Sequence, residues 1–283
     1  MQAVTQGAPV PQKGLVNQML NISIVLYHPH WEEEVLPLVE ELLRVKNLRK
    51  IYLLDNTEER ELHPKKQIKD SKLRYMHMPA NLGYGGAHNV ALRESAYYKT
   101  AFHLVMNSDI RVKAEDIDAM HDWMETHPEV GQLMPRVVSP DGSQQYLAKR
   151  LPSPLDVFGR RFLPASLIAR RNRRYELRDM DLTKPVNAPY LSGCFMFLRT
   201  KAAVEAGLFD ERYFMYPEDI DLTRTIHRAY LTLYHPAWTI VHAHARESYK
   251  NKHMLRIHIR NMCRYFNKWG WFFDSERRQF NQL

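Results

Sequence analysis

Apolar and polar residues alternate along this chain in blocks, and the blocks predict strands and helices in turn. Short apolar runs bounded by polar residues are typical of buried strands, whereas apolar residues spaced three and four apart predict the helices between them. The predicted strands cover residues 22–27, 51–54, 73–78, 102–106, 130–135, 190–199 and 238–242, and the predicted helices cover residues 33–45, 84–98, 114–126, 200–206, 218–229 and 251–269. This alternation predicts an α/β fold with a mostly parallel, Rossmann-like central sheet flanked by helices.

The segments outside this alternation divide the chain. Residues 1–20 show no periodicity and are predicted to form an N-terminal tail before a main domain over residues 21–245. Within that domain, residues 136–189 form an irregular insertion with a run of arginines from Arg150 to Arg178. We expect it to lie over the functional site as a lid or acceptor channel that attracts a lipid diphosphate, while a solvated face is the ordinary explanation of such runs. Residues 246–283 are predicted to form a C-terminal amphipathic helical extension.

The C-terminal helix carries one basic and one apolar stripe, because residues of each kind recur at helical spacing. The basic stripe is Lys252, Arg256, Arg260, Arg264 and Lys268, and the apolar stripe is Leu255, Ile259, Met262, Phe266, Trp269 and Phe273. Such a helix either lies on an anionic bilayer surface or packs its apolar stripe against the domain, and the sequence leaves both open.

Charge narrows the class of partner. The 283 residues carry a net charge of +8, which indicates an anionic partner such as a nucleotide, a phosphorylated lipid, a membrane surface or nucleic acid. No apolar stretch approaches the length of a membrane span. The two cysteines, Cys194 and Cys263, cannot form a disulfide framework, and no secretory signal pattern opens the chain, so we expect a cytoplasmic location.

Acidic groups stand where predicted strands end. Asp55-Asn56 and Asn107-Ser108-Asp109 each follow a strand-like run, and ligands of open α/β sheets bind at such strand ends. Asp109 would bind Mg²⁺ or Mn²⁺ through a hard oxygen and so neutralise a nucleotide diphosphate. The amide and carboxylate of Asp55-Asn56 would hydrogen-bond a base or ribose. Ordinary turns and caps also explain both groups.

A third acidic pair, Glu218-Asp219, opens a predicted helix directly after Pro217. Asp219 is predicted to remove the proton from an attacking hydroxyl, with Glu218 orienting the acceptor. Farther along, His242 and His244 share one face of a strand end, and one of them would complete the metal shell or contact the diphosphate. Acids also favour helix starts, and lone histidines are often structural.

The loop Asn81-Leu-Gly-Tyr-Gly-Gly-Ala-His-Asn89 joins a predicted strand to a helix. Its glycines allow the backbone to approach a ligand closely, and the helix start offers free N–H groups to an anion. A tight strand-to-helix turn explains the same residues, so both interpretations stay open.

Taken in order, these motifs resemble those of the family-2 glycosyltransferases of the GT-A fold, especially bacterial rhamnosyltransferase-like members that build surface polysaccharides such as O-antigen. The resemblance covers roughly residues 22–244, and the order of the motifs is more specific than any one of them. The motifs are Ile24-Val-Leu-Tyr27, Leu54-Asp-Asn56, Asn81-Leu-Gly-Tyr-Gly-Gly-Ala-His-Asn89, Asn107-Ser-Asp109, Pro140-Asp-Gly142, Leu191-Ser-Gly-Cys-Phe195, Gly207-Leu-Phe-Asp-Glu211, Tyr216-Pro-Glu-Asp-Ile-Asp-Leu222 and Val241-His242.

The resemblance implies an inverting transfer of a sugar from dTDP-rhamnose or a UDP-sugar, with Mg²⁺ or Mn²⁺, to a hydroxyl of a lipid-linked or oligosaccharide acceptor. It implies a place at the cytoplasmic face of the inner membrane, with peripheral contact to anionic lipid and no nucleic-acid partner; the oligomeric state stays open, a homodimer included. Asp219 and Glu218 would be catalytic, and Asp109 and His242 would hold the metal. The implied nucleotide-sugar-binding residues are Tyr27, Asp55, Asn56, Asn81, Gly83, Asn89, Asn107, Ser108 and Gly193.

The chain departs from the family pattern near both acidic groups. Asn107 replaces the first acid of the frequent acid-x-acid metal motif, which predicts weaker metal binding, and Ser108 and Pro217 replace a proline and an aromatic residue. Competing interpretations are a basic nucleic-acid-binding module, for which no known signature is present, and a non-catalytic transferase-like partner protein. A nucleotidyltransferase is disfavoured, because Tyr27-His-Pro-His30 stands where its phosphate loop would be.

Overall fold

The computed structural model describes residues 19–58, 70–160, 163–243 and 252–283. The predicted N-terminal tail lies outside this part of the chain except for Met19 and Leu20, and His244 lies outside it as well. Leu20 belongs to the first strand rather than to a tail, because its side chain is fully buried in the core.

The elements follow the predicted order. The strands are β1 (Leu20–Leu26), β2 (Leu48–Asp55), β3 (Leu73–His77), β4 (Phe102–Met106), β5 (Ile110–Arg111), β6 (Val130–Val138), β7 (Gln144–Gln145), β8 (Ala148–Lys149), β9 (Val186–Asn187), β10 (Tyr190–Leu191), β11 (Phe195–Arg199) and β12 (Leu231–His242). The helices are α1 (Leu36–Leu42), α2 (Gly83–Tyr97), α3 (Ala114–Thr126), α4 (Ala165–Tyr175), α5 (Thr200–Glu205), α6 (Glu218–Ile226), α7 (Lys252–Trp269) and α8 (Ser275–Phe280), with π-helical turns at Trp31–Val35 and Leu155–Gly159.

The main sheet has the strand order β3-β2-β1-β4-β11-β6-β12-β5. Strands β3, β2, β1 and β4 are parallel, and β12 is parallel to β6. Strand β11 lies antiparallel between β4 and β6, which the sequence did not predict. The predicted α/β fold with a mostly parallel central sheet and covering helices is confirmed.

The core lies on both faces of this sheet. Within β4 every residue is buried, and neighbouring side chains point to opposite faces: Leu104 packs in the cluster that contains Ile117 of α3, whereas Val105 packs in the cluster that contains Leu92 of α2. A strand covered on both sides needs apolar residues at every position, which explains its unbroken apolar run.

Two predictions of regular structure need correction. The insertion contains helix α4, which was not predicted from the sequence. Most of this arginine-rich helix is exposed and only Ile168 and Tyr175 are buried, so its apolar periodicity is weak. The strand predicted over residues 190–199 is interrupted between β10 and β11, and this interruption places Gly193 at the sheet edge.

The C-terminal extension packs against the rest of the molecule. Met262, Tyr265 and Phe266 of α7 are buried in one hydrophobic cluster with Ile220 of α6. Phe273, predicted for the same apolar stripe, is instead 87% exposed, because it lies beyond the end of the helix. Among the described residues, no helix combines the length and apolarity needed to cross a bilayer. The packing interpretation therefore accounts for the apolar face of α7, and membrane contact stays a prediction.

A buried ion-pair network fastens this extension to α6. Arg224, 1% exposed, donates to both carboxylate oxygens of Asp274 at 2.8 and 2.7 Å and to Glu276 at 2.7 Å. The Trp269 ring lies under the guanidinium, 4.1 Å from its carbon. Such a pair fixes the start of α8 relative to α6, because separating it would leave a charge in a dry environment.

We expect Asp274→Ala to lower the free energy of unfolding by about 3–5 kcal/mol, because Arg224 would stay buried without its main partner. Urea unfolding measures this loss. The control is Lys184→Ala, which removes an exposed ion pair with Asp181 and should cost less than about 1 kcal/mol. Equal losses in the two variants would contradict a structural role for the Arg224 network.

Candidate active site

The loop after β4 and the start of α6 meet at one edge of the sheet, near Cys194. The Asn107 N–H donates to the carbonyl of Cys194 at 3.0 Å, which ties the loop carrying Asp109 to the start of β11. Burial raises the pKa of the Cys194 thiol to about 12, and the negative charges of both Asp109 and Asp219 act in the same direction. The loop that carries the predicted metal ligand and the helix start that carries the predicted base therefore both adjoin residues 193 and 194.

Asp109 and His242 form the pair predicted to hold a metal. Asp109 Oδ1 lies 3.4 Å from Nε2 of His242, whose side chain is 4% exposed. The Nδ1 atom of His242 lies 2.9 Å from the amide oxygen of Gln145, so we assign the ring proton to Nδ1. The Nε2 lone pair then faces Asp109 and accepts from Nδ2 of Asn107 at 3.4 Å. Two ligands of one Mg²⁺ lie roughly 3 Å apart in octahedral geometry, so this pair fits a divalent ion.

Asp219 is held in the first turn of α6 by several donors. Its Oδ2 accepts from the N–H of Gly193 at 2.9 Å and from the Tyr190 hydroxyl at 3.4 Å, and its Oδ1 accepts from the N–H of Ile220 at 2.8 Å. Burial raises the pKa of Asp219 above its usual range, although these hydrogen bonds and the charge of Lys149 act against the rise. A positioned carboxylate with a raised pKa is suited to proton abstraction.

Gly193 brings the base close to the sheet edge. A Cβ atom at this position would lie 3.2 Å from Cβ of Asp219 and 3.3 Å from the ring of Tyr84. The Gly193 carbonyl accepts from the Tyr84 hydroxyl at 2.6 Å, so both backbone groups are used inside the protein. This glycine positions Asp219, and its predicted contact with the nucleotide sugar stays a prediction.

Glu218 does not line the cavity beside Asp219. Its side chain is buried, and its Cγ would lie 3.3 Å from a Cβ atom built on Gly85 of α2. Burial and the charge of Asp219 raise the pKa of Glu218 well above its usual range, and Oε2 has no hydrogen-bond partner among the residues that the structure describes. The placement gives no support to the predicted role in orienting an acceptor, because the side chain is turned towards α2.

The glycines of the 81–89 loop accommodate the protein's own backbone. Gly83 has φ +72°, and a Cβ atom there would lie 2.0 Å from the carbonyl oxygen of Phe214. A Cβ atom at Gly85 would lie 2.8 Å from Cβ of Phe209. The tight-turn interpretation therefore explains these glycines, because the segment that leads into α6 is what approaches them.

Two predicted nucleotide-binding amides shape this loop. Asn56 donates from Nδ2 to the carbonyl of Gly83 at 3.0 Å and accepts at Oδ1 from the N–H of Leu82 at 3.3 Å. Asn81 accepts at Oδ1 from the N–H of Gly83 at 3.1 Å. Because the Asn56 amide is engaged at both ends and is 3% exposed, its direct contact with a nucleotide stays a prediction.

Asn89 links α2 to the segment before α6. Its side chain is buried, donates to the carbonyl of Phe209 at 2.8 Å and accepts from the Phe209 N–H at 3.1 Å. It also donates to Glu211 at 2.9 Å. With these partners Asn89 fixes the segment that precedes Asp219, and its predicted contact with the nucleotide sugar stays a prediction.

The other residues predicted to bind the nucleotide sugar lie at the same edge of the sheet, and their side chains differ in solvent exposure. Tyr27 is 54% exposed, and Asn107 and Ser108 are partly exposed beside Asp109. Asp55 is buried, and its Oδ2 accepts from the Tyr75 hydroxyl at 2.7 Å. Tyr27, Asn107 and Ser108 are thus accessible to a ligand, while the Asp55 carboxylate is engaged with its neighbour.

A cavity of about 1060 Å³ opens beside Asp219, between the insertion, the turn after β6 and helix α7. The turn is the predicted Pro140-Asp-Gly142, which joins β6 to β7. Sequence reasoning missed Gln145, Lys149 and Tyr190 at this site. The signal for Gln145 was this turn, because a hairpin here pairs Gln145 with Val137 of β6.

Comparison with known proteins shows the family to which this chain belongs. The family described as Glycosyl transferase family 2 matches residues 22–206, which is more than half of the chain. The chain belongs to this family. The predicted family is therefore confirmed, although the match ends before Asp219 and His242, whose roles depend on the geometry above.

One curated relative is the N-acetylglucosaminyl-diphospho-decaprenol L-rhamnosyltransferase of Mycobacterium tuberculosis, found in two strains. It is 32% identical over 183 residues, which cover 60% of this chain and 58% of the relative. The match therefore spans less than two thirds of the relative's length.

Solved structures share the fold. GalNAc-T7, crystallised with UDP, GalNAc and Mn²⁺, has a TM-score of 0.58 and 14% identity, covering 80% of this chain and 44% of its own. TarS of S. aureus has a TM-score of 0.55 and 14% identity, covering 84% of this chain and 38% of its own. The predicted GT-A fold is confirmed at this level.

Proposed function

We propose that this protein is an inverting glycosyltransferase that moves a sugar from a nucleotide diphosphate donor to a hydroxyl of a lipid-linked acceptor. The observation that carries the proposal is that the loop of the Asp109–His242 pair is hydrogen-bonded to Cys194, while Asp219 is hydrogen-bonded to the adjacent Gly193. Family membership supports an activated-sugar donor, and the rhamnosyl transfer named for the relative supports rhamnose as the sugar, so dTDP-rhamnose is the first donor to test and UDP-sugars are the second. A non-catalytic member of the family is the alternative, and an activity assay decides between them.

The residues fit a divalent ion, Mg²⁺ or Mn²⁺. Asp109 and His242 would hold it, with Gln145 fixing the histidine tautomer. When bound, the ion neutralises the charge that develops on the departing diphosphate. Asn107 adds no charge to this pair, so we expect the ion to bind most tightly together with the donor's phosphates.

The proposed reaction is a single displacement. Asp219 Oδ2 takes the proton of the acceptor hydroxyl while the hydroxyl oxygen forms a bond to the anomeric carbon. The bond from that carbon to the phosphate oxygen breaks, and the nucleoside diphosphate leaves with the electron pair. Gly193 and Tyr190 hold the carboxylate in place throughout, which lowers the entropy cost of reaching the reactive geometry.

A thermal-shift screen of nucleotide sugars with and without Mn²⁺ tests donor binding. At a hundred times its dissociation constant, a ligand raises the free energy of unfolding by about 2.7 kcal/mol, so the true donor should raise Tm clearly. We expect dTDP-rhamnose or a UDP-sugar to do so with Mn²⁺ and to do so less in EDTA. No shift with any nucleotide sugar under either condition would contradict the proposal.

A further inference from the structure

The cavity beside Asp219 carries a group of cations that the proposed chemistry leaves unexplained. Lys149, Arg160 and Arg178 all line it, together with Asp219. Its lining does not include Asp55, so it extends away from the edge where the nucleotide is predicted to bind. In the proposed displacement the acceptor hydroxyl approaches the anomeric carbon from the side opposite the departing diphosphate, and the base lies on that side. The cavity that opens beside Asp219 is therefore where the acceptor would enter.

Lys149 is the least compensated of these cations. Its ammonium lies 5.4 Å from the ring centre of Tyr190 and 5.8 Å from that of Tyr175, over the faces of both rings. Among the described residues no carboxylate lies within ion-pair distance of it. Burial and the charge of Arg160 lower the pKa of Lys149, and the carboxylates of Glu176 and Asp219 act against this fall. Since neither carboxylate forms an ion pair with the ammonium, a negatively charged ligand in the cavity would stabilise it.

The other two cations share one acid. Arg160 Nη2 lies 2.6 Å from Oε1 of Glu176, and Arg178 Nε lies 2.9 Å from Oε2 of the same residue. The cavity wall holds three further carboxylates: Asp156 is paired with Arg171 at 2.6 Å, Asp141 is exposed at the rim, and Asp219 is the proposed base. One carboxylate between two guanidinium groups leaves this part of the wall positive.

Tyr190 contacts both the base and the ammonium. Its hydroxyl lies 3.4 Å from Asp219 Oδ2, and the Lys149 ammonium lies 5.4 Å from its ring centre. Asp219 and Lys149 therefore line the cavity on either side of one side chain. A glycosyl phosphate in this cavity would place its reacting hydroxyl at Asp219 and its phosphate at Lys149.

We propose that Lys149, with Arg160 and Arg178, binds the phosphate of an acceptor whose reacting hydroxyl and phosphate belong to the same sugar. The acceptor class is a lipid-linked glycosyl diphosphate, so the preceding reaction must transfer one sugar 1-phosphate from a nucleotide sugar to a lipid phosphate, releasing the nucleoside monophosphate. The inference rests on the proposed function, because it uses Asp219 as the base.

Binding of inorganic pyrophosphate in EDTA tests the site without requiring transfer. Calorimetry should detect pyrophosphate binding to the wild-type chain, and Lys149→Met should weaken it about tenfold or more, because a charge-assisted contact is lost. Lys149→Arg should retain most of the affinity. The control is Arg170→Met, which removes an exposed arginine of the same insertion that does not line the cavity and should leave affinity unchanged. No wild-type binding, or equal binding by Lys149→Met, would overturn the site.

Steady-state kinetics distinguishes the acceptor's phosphate from the donor's. With a short-chain alkyl N-acetylglucosaminyl diphosphate as acceptor, Lys149→Met should raise its KM about tenfold or more and leave the KM of the donor unchanged. If Lys149→Met does not fold, Arg178→Met, at an exposed position, should show the same direction. A rise in donor KM alone would overturn the acceptor assignment. Lysine-dependent pyrophosphate binding without any sugar transfer would leave the subsite standing and would refute the proposed function.

Discussion

Asp219→Asn is expected to lower kcat for sugar transfer by about 10²–10⁴-fold, the usual cost of losing a general base. The asparagine oxygen can still accept from the Gly193 N–H, so the local structure should persist, but an amide cannot take up the acceptor proton. The measurement is release of nucleoside diphosphate in the presence of acceptor. The matched control is Asp141→Asn, an exposed carboxylate at the rim of the same cavity, which should keep near-normal turnover.

The pH dependence gives a second measurement of the same role. Because burial raises the pKa of Asp219, the base should become protonated at a higher pH than an ordinary aspartate. In the wild-type protein, kcat should therefore fall as the pH drops through this raised pKa, and the residual activity of Asp219→Asn should lack that fall. Near-normal turnover by a correctly folded Asp219→Asn variant would remove Asp219 from the role of base.

The buried elements were predictable because local pattern decides them. The bounds of β4 and α3 match the predicted residues 102–106 and 114–126, since one is an unbroken apolar run and the other has clear helical spacing. Helix α4 was not predictable in this way, because an exposed basic helix shows little apolar periodicity.

The convergence of Asp109 and Asp219 was predictable for a topological reason. One residue follows a strand of the sheet and the other opens a helix, and both kinds of position face the crevice at the strand ends. The position of Asp109 and that of Asp219 each follow from local sequence, without knowledge of long-range packing. The antiparallel β11 does not disturb it, because the interruption before this strand brings Gly193 against Asp219 at the same edge.

The roles of single loop residues were not predictable, because partners far along the chain decide them. The sequence around Gly83 is compatible with close approach by either a phosphate or a backbone carbonyl. Only the folded structure shows that the carbonyl of Phe214 is the group that approaches it. Asn89 likewise meets Phe209, 120 residues away. Lys149 is a similar case, since its environment comes from the insertion and from β10 together. Such long-range packing leaves no local signal in a single sequence.

Asp109→Ala is expected to reduce metal-dependent transfer about 10³-fold, because a divalent ion at a departing diphosphate supplies several kcal/mol of transition-state stabilisation. His242 would remain, but one neutral ligand holds such an ion poorly. Gln145→Leu should be milder: loss of a group that orients a ligand typically weakens metal affinity about 10–100-fold, so excess Mn²⁺ should restore its activity.

Mn²⁺ titration with UDP or dTDP present separates these effects. We expect Gln145→Leu to reach wild-type turnover at high Mn²⁺ and Asp109→Ala to remain inactive at every concentration, because only the first keeps both ligands. The wild-type protein should lose transfer in EDTA and regain it when the ion is returned. Equal transfer with and without EDTA would contradict the metal assignment, and the close approach of Asp109 to His242 would then be a purely structural contact.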